Sequence, residues 1–463
     1  MAALDFLSQP FSVDGRPNKR PRFHLNDIGD SLLADSTFLQ LQLSSRLLCS
    51  DQSAACSGEG AQCALDLTGD RNKSLGASQK DDVVQSSSAP WHEDDENGHF
   101  NYRLGENLTS RYKILGLMGE GTFGRVLECW DRDGQEVVAI KVVRNVDKYR
   151  EAAKNEVDIL LTLAKKDAEG LGGCVQVRSW FDYRKHICIV CEKLGPSLFD
   201  FLRANNYSPF SIDLIQDFGR QILGSLTYLH SLKLIHTDLK PENILLTSSD
   251  YVEVVDYKNP TKYPSVQMKR VPKSSKIKLI DFGSATYDRE DSFSVVSTRH
   301  YRAPEVILVL WYVSYVDMLL IVHVSGLGWS FPCDIWSVGC ILVELCSGEA
   351  LFQTHENIEH LAMMERVLGP IPSHIIKRSM QQTDKYFKYG RELNWPDECT
   401  TSDSIQAVNK LPRLRNLIMQ HADHSAGLLI DLLEKLLKYD PEERLTAREA
   451  LLHPFFKEGS RRR

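Results

Sequence analysis

The hydrophobic period of the chain changes once, near Ser197, and that change limits what it can fold into. Upstream, Tyr112–Leu117, Arg125–Trp130 and Val137–Val142 carry Val, Ile and Gly in strand-like runs. A helical stretch at about Arg150–Ala164 interrupts them, and further strands run to Glu192. Downstream, Ile212–Leu229, Asp334–Ser347, Glu356–Leu368 and Gly427–Leu437 repeat apolar residues at helical spacing. The pattern predicts an α+β architecture, a small β-rich lobe with one helix followed by a larger helical lobe. A length of 463 residues, more than one core normally supports, also asks for two or more lobes or domains. No repeat of the solenoid kind is present.

Composition excludes little beyond the fibrous, collagen-like and fully disordered classes. Hydrophobic residues make up 42% and charged residues 25%, enough to bury a core. Sixty-two acidic against fifty-five basic residues leave a net charge of −7, which gives no reason to expect direct nucleic-acid binding and suits a basic partner. Eleven Cys without dense spacing argue against a disulfide scaffold and for free thiols in a reducing compartment. Cys188 and Cys191 have zinc-ligand spacing, but in an apolar run without His ligands. The start, Met1-Ala-Ala-Leu-Asp-Phe, lacks a basic n-region and a long apolar h-region, so an intracellular protein is expected.

Residues 1–108 read as a largely disordered regulatory or targeting region, rich in Ser, Asp, Gly and Gln. Within it, Phe38-Leu-Gln-Leu-Gln-Leu43 alternates as a transient strand or helix would. Arg16, Lys19, Arg20 and Arg22 form a basic cluster, either a solvated patch or a nuclear import signal. Residues 457–463 form a basic tail.

The chemistry is concentrated in the ordered part. Gly119-Glu-Gly-Thr-Phe-Gly124 lies between two strand patterns, so its glycines would let a hairpin lie close to phosphate oxygens. A dinucleotide loop would need a helix there, and Arg125-Val-Leu-Glu-Cys-Trp130 reads as a strand. Val138-Ala-Ile-Lys141 follows, with an ammonium to hold phosphates, and Glu156 lies fifteen residues on, in the helix, to pair with it. His236-Thr-Asp-Leu-Lys-Pro-Glu-Asn243 offers Asp238 to orient a hydroxyl, Lys240 to neutralise a moving phosphoryl and Asn243 to ligate magnesium. Asp281-Phe-Gly283 offers the second metal ligand, and Ala303-Pro-Glu305 closes the segment between them. Singly, Lys141 could be a surface amine, Asp238 a turn former and Asp281 a cap. The ordered set cannot be explained that way.

In that order the motifs resemble the eukaryotic protein kinase family over roughly Tyr112 to Phe456, with Asp334-Ile-Trp-Ser-Val-Gly339 and the late Arg444 included. The stretch Glu359-His-Leu-Ala-Met-Met-Glu-Arg-Val-Leu-Gly-Pro370 is similar to the signature of the LAMMER, or CDC-like, kinases of the CMGC group, as in the plant AFC members. His236-Thr-Asp-Leu-Lys240 and Ser297-Thr-Arg-His-Tyr-Arg302 point to the same subfamily. The resemblance implies a two-lobed kinase domain over 112–456, with a small lobe at about 112–194 and a large lobe at about 195–456. It implies ATP contacts from Met118, Gly119, Glu120, Gly121, Thr122, Phe123, Gly124, Arg125 and Val126, then Ala139, Lys141, and the hinge residues Glu192 and Leu194. It also implies a structural pair between Glu305 and Arg444, with Mg2+ or Mn2+ as the metal.

The same resemblance implies Ser/Thr phosphorylation of Arg/Ser-rich splicing proteins, with autophosphorylation extending to Tyr, in the nucleus and shared with the cytoplasm. Glu242, beside Asn243, stands where a substrate Arg could reach a carboxylate, or else is a packing residue of the catalytic loop. A monomer is the default, with no membrane association. Thr237 stands where many kinases carry an Arg that meets an activation-loop phosphate, so basal activity is expected without that switch, with Ser294, Ser297 and Thr298 as candidate modification sites. Cys191 aligns with the position at the rear of the adenine pocket, as packing rather than a redox sensor. Tyr251-Val-Glu-Val-Val-Asp-Tyr257 resembles the extra hairpin of LAMMER kinases.

The departure from the pattern is an insert at Val309–Ser325, mostly apolar but holding Asp317 and His323. A membrane span there would cut the helical lobe in two, so it reads as a splice-variant segment that the fold loops out. It could disturb the Glu305–Arg444 contact and the substrate groove while sparing the ATP site. The competing expectation is therefore an isoform that binds nucleotide and partners but phosphorylates poorly.

Overall fold

A computed structural model describes residues 93–255, 268–288, 295–308, 329–379, 386–398, 400–422 and 426–457. The basic cluster, the Phe38–Leu43 segment, Ser294, the Val309–Ser325 insert and residues 458–463 lie outside them.

The small lobe is a five-stranded antiparallel sheet in the order β1-β2-β3-β5-β4. The strands are β1 (Tyr112–Gly121), β2 (Gly124–Asp131), β3 (Glu136–Val143), β4 (Val177–Tyr183) and β5 (His186–Glu192). β5, an unbroken apolar run, sits inside the sheet and is buried along His186–Val190, whereas β4 at the edge is half-exposed throughout. The helix α1 (Asp147–Lys166) buries Ala153, Glu156, Val157, Leu160 and Leu163, a stripe three and four residues apart. Lys165 and Lys166 occupy its last turn, where cations suit the carbonyl end. Glu156 is the one charge in that buried stripe.

Residues 93–108, expected to be disordered, instead pack on this lobe. Phe100 and Leu108 are buried in the same apolar cluster as Ile114, Leu127, Val138 and Val190. The boundary near 108 is corrected accordingly. Composition misled because few side chains there are apolar, and most of the contacts are made through main-chain oxygens and carboxylates.

The large lobe is built around the helix Pro332–Ser347, whose residues Cys333–Cys346 are all buried. A helix buried on every side belongs at the centre of a core. Pro332 starts it, and Gly348, at φ +83°, ends it in the left-handed conformation. The helices Ile212–Ser231 and Gly427–Leu436 pack on it, and Ser211 caps the first of these. Asn357–Leu368, which carries the LAMMER string, buries Leu361, Ala362, Met363 and Met364, as a packing helix should. The expected extra hairpin is present as Tyr251–Val255 paired with Met268–Pro272. Among the described residues no helix is long and apolar enough to cross a membrane.

Candidate active site

Lys141 is central on β3, opposite Val126 of β2 and Ile189 of β5. Its Nζ donates to both carboxylate oxygens of Glu156, at 2.9 and 2.8 Å, and to Oδ1 of Asp281 at 2.9 Å. Burial works against the Lys141 ammonium, but the two carboxylates outweigh it and raise its pKa. For Asp281, burial pushes the carboxyl up and Lys141 more than offsets it, leaving it below the usual range. Glu156 is raised, because burial there exceeds what Lys141 returns. The position fifteen residues on from Lys141 is thus brought to it by the packing of α1 on the sheet.

Asp281 adopts a left-handed conformation, φ +63°, at the entrance to the short turn Phe282–Ser284. Gly283 has no Cβ because one there would stand 3.3 Å from a Glu156 carboxylate oxygen. Phe282 is buried with its ring 5.2 Å from that of His236, whose Nε2 lies 3.1 Å from the Ile280 carbonyl.

The catalytic-loop residues are held from below by Asp334, a buried carboxylate that accepts from the main-chain N–H of His236 and of Thr237, each at 2.9 Å. Thr237, at φ +66°, needs that support. Its hydroxyl donates to the Ser284 carbonyl at 2.8 Å, so this position anchors the following turn. Asp238 contacts Lys240 Nζ at 2.6 Å and accepts from Thr298, from its N–H at 2.9 Å and its hydroxyl at 2.7 Å. Burial raises the Asp238 carboxyl, and Lys240 and Thr298 together bring it below the ordinary value, so it stays ionised. Asn243 Nδ2 donates to the Asp238 carbonyl at 2.9 Å, which leaves the amide oxygen as its metal-competent atom.

A cavity of about 440 Å³ joins these parts, and its lining includes Met118, Gly119, Gly121, Val126, Ala139, Lys141, Glu192, Leu194, Glu242, Asn243 and Asp281. Glu120, Phe123 and Gly124 also line it. Thr122 and Arg125 are not part of that lining: the Thr122 carbonyl accepts from Arg144, and Arg125 turns to Glu120 and the segment before β1. Asp238 and Lys240 stand beside the cavity, joined to it through Asn243. Cys191 lines its wall, with burial pushing the thiol up to about 12. Sequence reasoning did not give roles to Thr298 against Asp238, to Asp334, or to the apolar walls Leu245 and Ile280. Asp334, in Asp334-Ile-Trp-Ser-Val-Gly339, and Thr298, in Ser297-Thr-Arg-His-Tyr-Arg302, each lay in a motif that could have signalled it.

Asp281 and Asn243 offer oxygen atoms to one end of the cavity, and Lys141 stands beside them. Two oxygen donors suit a hard cation that completes its shell with phosphate oxygens and water, so this donor set fits magnesium carried by a nucleotide. Outside the cavity, Glu305 and Arg444 form a bidentate pair at 2.7 and 3.0 Å with both side chains buried. The expected disturbance of this contact by the neighbouring insert is not found.

A glycine-rich hairpin over a lysine-carboxylate pair, next to an Asp/Lys/Asn loop, defines a phosphotransferase site of the protein kinase class. Residues 112–456 match the protein kinase domain family, and the chain belongs to it. Within that family it groups with the LAMMER-type kinases. It is 60% identical over 374 residues to serine/threonine-protein kinase AFC2 of Arabidopsis thaliana, covering 81% of this chain and 83% of that one. It is 47% identical over 365 residues to the dual specificity protein kinase CLK2 of Homo sapiens, covering 79% and 67%. A crystal structure of a kinase domain superposes with a TM-score of 0.67 at 38% identity, over 78% of this chain and all of that one. Protein kinases use ATP and a divalent metal, usually Mg2+, and act on protein substrates.

Proposed function

We propose that the chain is a Mg2+-ATP-dependent serine/threonine kinase of Arg/Ser-rich splicing proteins, able to autophosphorylate on tyrosine, and that it works in the nucleus. The observation that carries the catalytic part is the single cavity in which Lys141, Asn243 and Asp281 meet under the glycine-rich hairpin, with Asp238 adjoining. Bound Mg-ATP supplies the transferable phosphoryl and neutralises its charge. Lys141, held by Glu156, positions the phosphates, and ionised Asp238 orients the substrate hydroxyl. Lys240, paired with Asp238 and Thr298, offers a cation to the transferring group.

The substrate class is supported by the LAMMER motifs, by the net charge of −7 and by Glu242, which lines the cavity next to Asn243. Nuclear placement is supported by the basic cluster Arg16–Arg22. A cytoplasmic reporter fused to residues 1–30 would remove that support.

The test is phosphate transfer from Mg-ATP to an Arg/Ser repeat peptide by the purified full chain. Asp238→Asn should lower kcat by about 10²- to 10⁴-fold while nucleotide binding persists. Replacing peptide Arg by Ala should raise the peptide KM, and a Glu242→Gln variant should lose part of that discrimination. Equal rates in Asp238→Asn would overturn the catalytic assignment, and equal rates on the Ala peptide would overturn the substrate class.

A further inference from the structure

We propose that residues 94–101, upstream of the family match, form a latch that holds the glycine-rich loop closed over ATP, with Asp95 as its positioning residue. This rests on the nucleotide-binding reading above and adds a part to the site from outside the kinase domain.

Two guanidinium groups join the segment to the loop. Arg125 pairs with Glu120 across the hairpin at 2.9 Å, and its remaining nitrogens reach the Phe100 carbonyl at 2.8 Å and Asp95 Oδ2 at 3.3 Å. Arg144 donates to the Thr122 carbonyl at the loop tip, 3.1 Å, and through Nε to the Asn97 carbonyl at 2.7 Å. The tip is therefore tied to the same short segment at two points, Arg125 on one strand and Thr122 on the turn.

The far side of the segment is fixed to structure that does not belong to the loop. Phe100 is buried edge-on against His186, ring centroids 5.4 Å apart. Asp94 meets His186 Nε2 at 3.0 Å and accepts from Asn145 Nδ2 at 3.1 Å. Gly98, at φ +76°, passes close to Asn145, whose N–H donates to the Gly98 carbonyl at 2.8 Å. A loop with three glycines has many conformations to lose when it closes on phosphate. Anchoring it beforehand removes part of that loss, and the gain appears as nucleotide affinity. The Arg125 side chain is 15% exposed and Asp95 30%, so that pair is partly shielded from water.

Asp95→Asn in the full chain separates this role from simple folding. Asp95 Oδ1 accepts from the N–H of Asn97 and of His99, at 3.0 and 2.8 Å, and the amide oxygen of Asn can keep both. What is lost is Oδ2, the atom facing Arg125. Hydrogen exchange without nucleotide should quicken at residues 119–126, binding of a fluorescent ATP analogue should weaken about three- to tenfold, and the ATP KM should rise to match. The melting temperature and the peptide KM should stay at the parental values. A second variant, Arg103→Ala, alters an exposed side chain just past the latch and should leave all four readouts unchanged. Unaltered exchange at 119–126 in Asp95→Asn, or a fall in melting temperature without a change in ATP affinity, would overturn the latch. A parental chain that binds the analogue without transferring phosphate would sink the kinase reading while still testing the latch, since exchange and binding need no catalysis.

Discussion

His360 shows how a single side chain can carry a pH signature. It lies in the LAMMER string, fully buried, with neither ring nitrogen hydrogen-bonded among the described residues. Its ring faces Phe352 at 5.1 Å, and the charges nearest it are Arg299, His300 and Arg302. Burial, and then those cations, hold its pKa well below the ordinary value. Below about pH 6.5 the unfolded chain therefore takes up a proton that the folded chain refuses, so stability falls as pH drops through that range. The slope from this residue approaches about 1.4 kcal/mol per pH unit. Urea unfolding between pH 8 and pH 5.5 should accordingly show a shallower loss in His360→Leu than in the parent. Parallel curves would mean that the ring finds a partner when charged.

At the scale of elements, the glycine-rich hairpin depends on one glycine more than on the other two. A Cβ at Gly124, where φ is +152°, would meet the Val142 carbonyl closer than real Cβ atoms come, and Val143 Cα at 2.9 Å. Nothing lies within 4 Å of a Cβ at Gly119 or Gly121. Gly124→Ala should therefore cost about 1–3 kcal/mol and lower the melting temperature without any ligand. Gly119→Ala should leave the melting temperature unchanged and act only on ATP affinity, and equal losses in both variants would refute the distinction.

These elements also show what could be read before the structure. The strands, the Lys141–Glu156 pairing and the buried LAMMER helix were legible because residue type and period determine them locally. The Thr298–Asp238 contact was not, since it joins residues sixty apart through the closure of a segment with no period of its own. The anchoring of 93–108 was hidden for another reason. Its contacts use the carbonyls of Asn97 and Phe100, and every residue has a carbonyl. For the same reason the bonds of Arg125 to the Phe100 carbonyl and to Asp95 could not be read from its neighbours in sequence.

For the whole molecule, the Glu305–Arg444 pair ties the segment after the catalytic loop to the helical lobe. Arg444 also donates to the carbonyls of Pro332 and Lys438 and stacks 5.3 Å over Trp336, so its head group is fully used. Arg444→Leu would strand a buried carboxylate and should cost about 3–5 kcal/mol in chemical unfolding. The double variant Glu305→Leu/Arg444→Leu should recover part of that loss. A cost below about 1 kcal/mol for the single change would mean that water reaches Glu305. The apolar insert falls within the 139 residues that this contact encloses. By loop-closure entropy, seventeen extra residues in so long a loop cost only on the order of 0.1 kcal/mol, so chain length by itself gives no reason to expect the contact to fail.

That separation has a meaning in time as well. A ribosome adding about 5–20 residues per second makes Glu305 roughly seven to thirty seconds before the arginine that neutralises it. Through that interval the surrounding lobe cannot close without burying a bare charge, and the buried helix Pro332–Ser347, synthesised early in it, waits with Glu305. The nascent chain is then most in need of chaperones after its catalytic residues have been translated and before the lobe that supports them can shut.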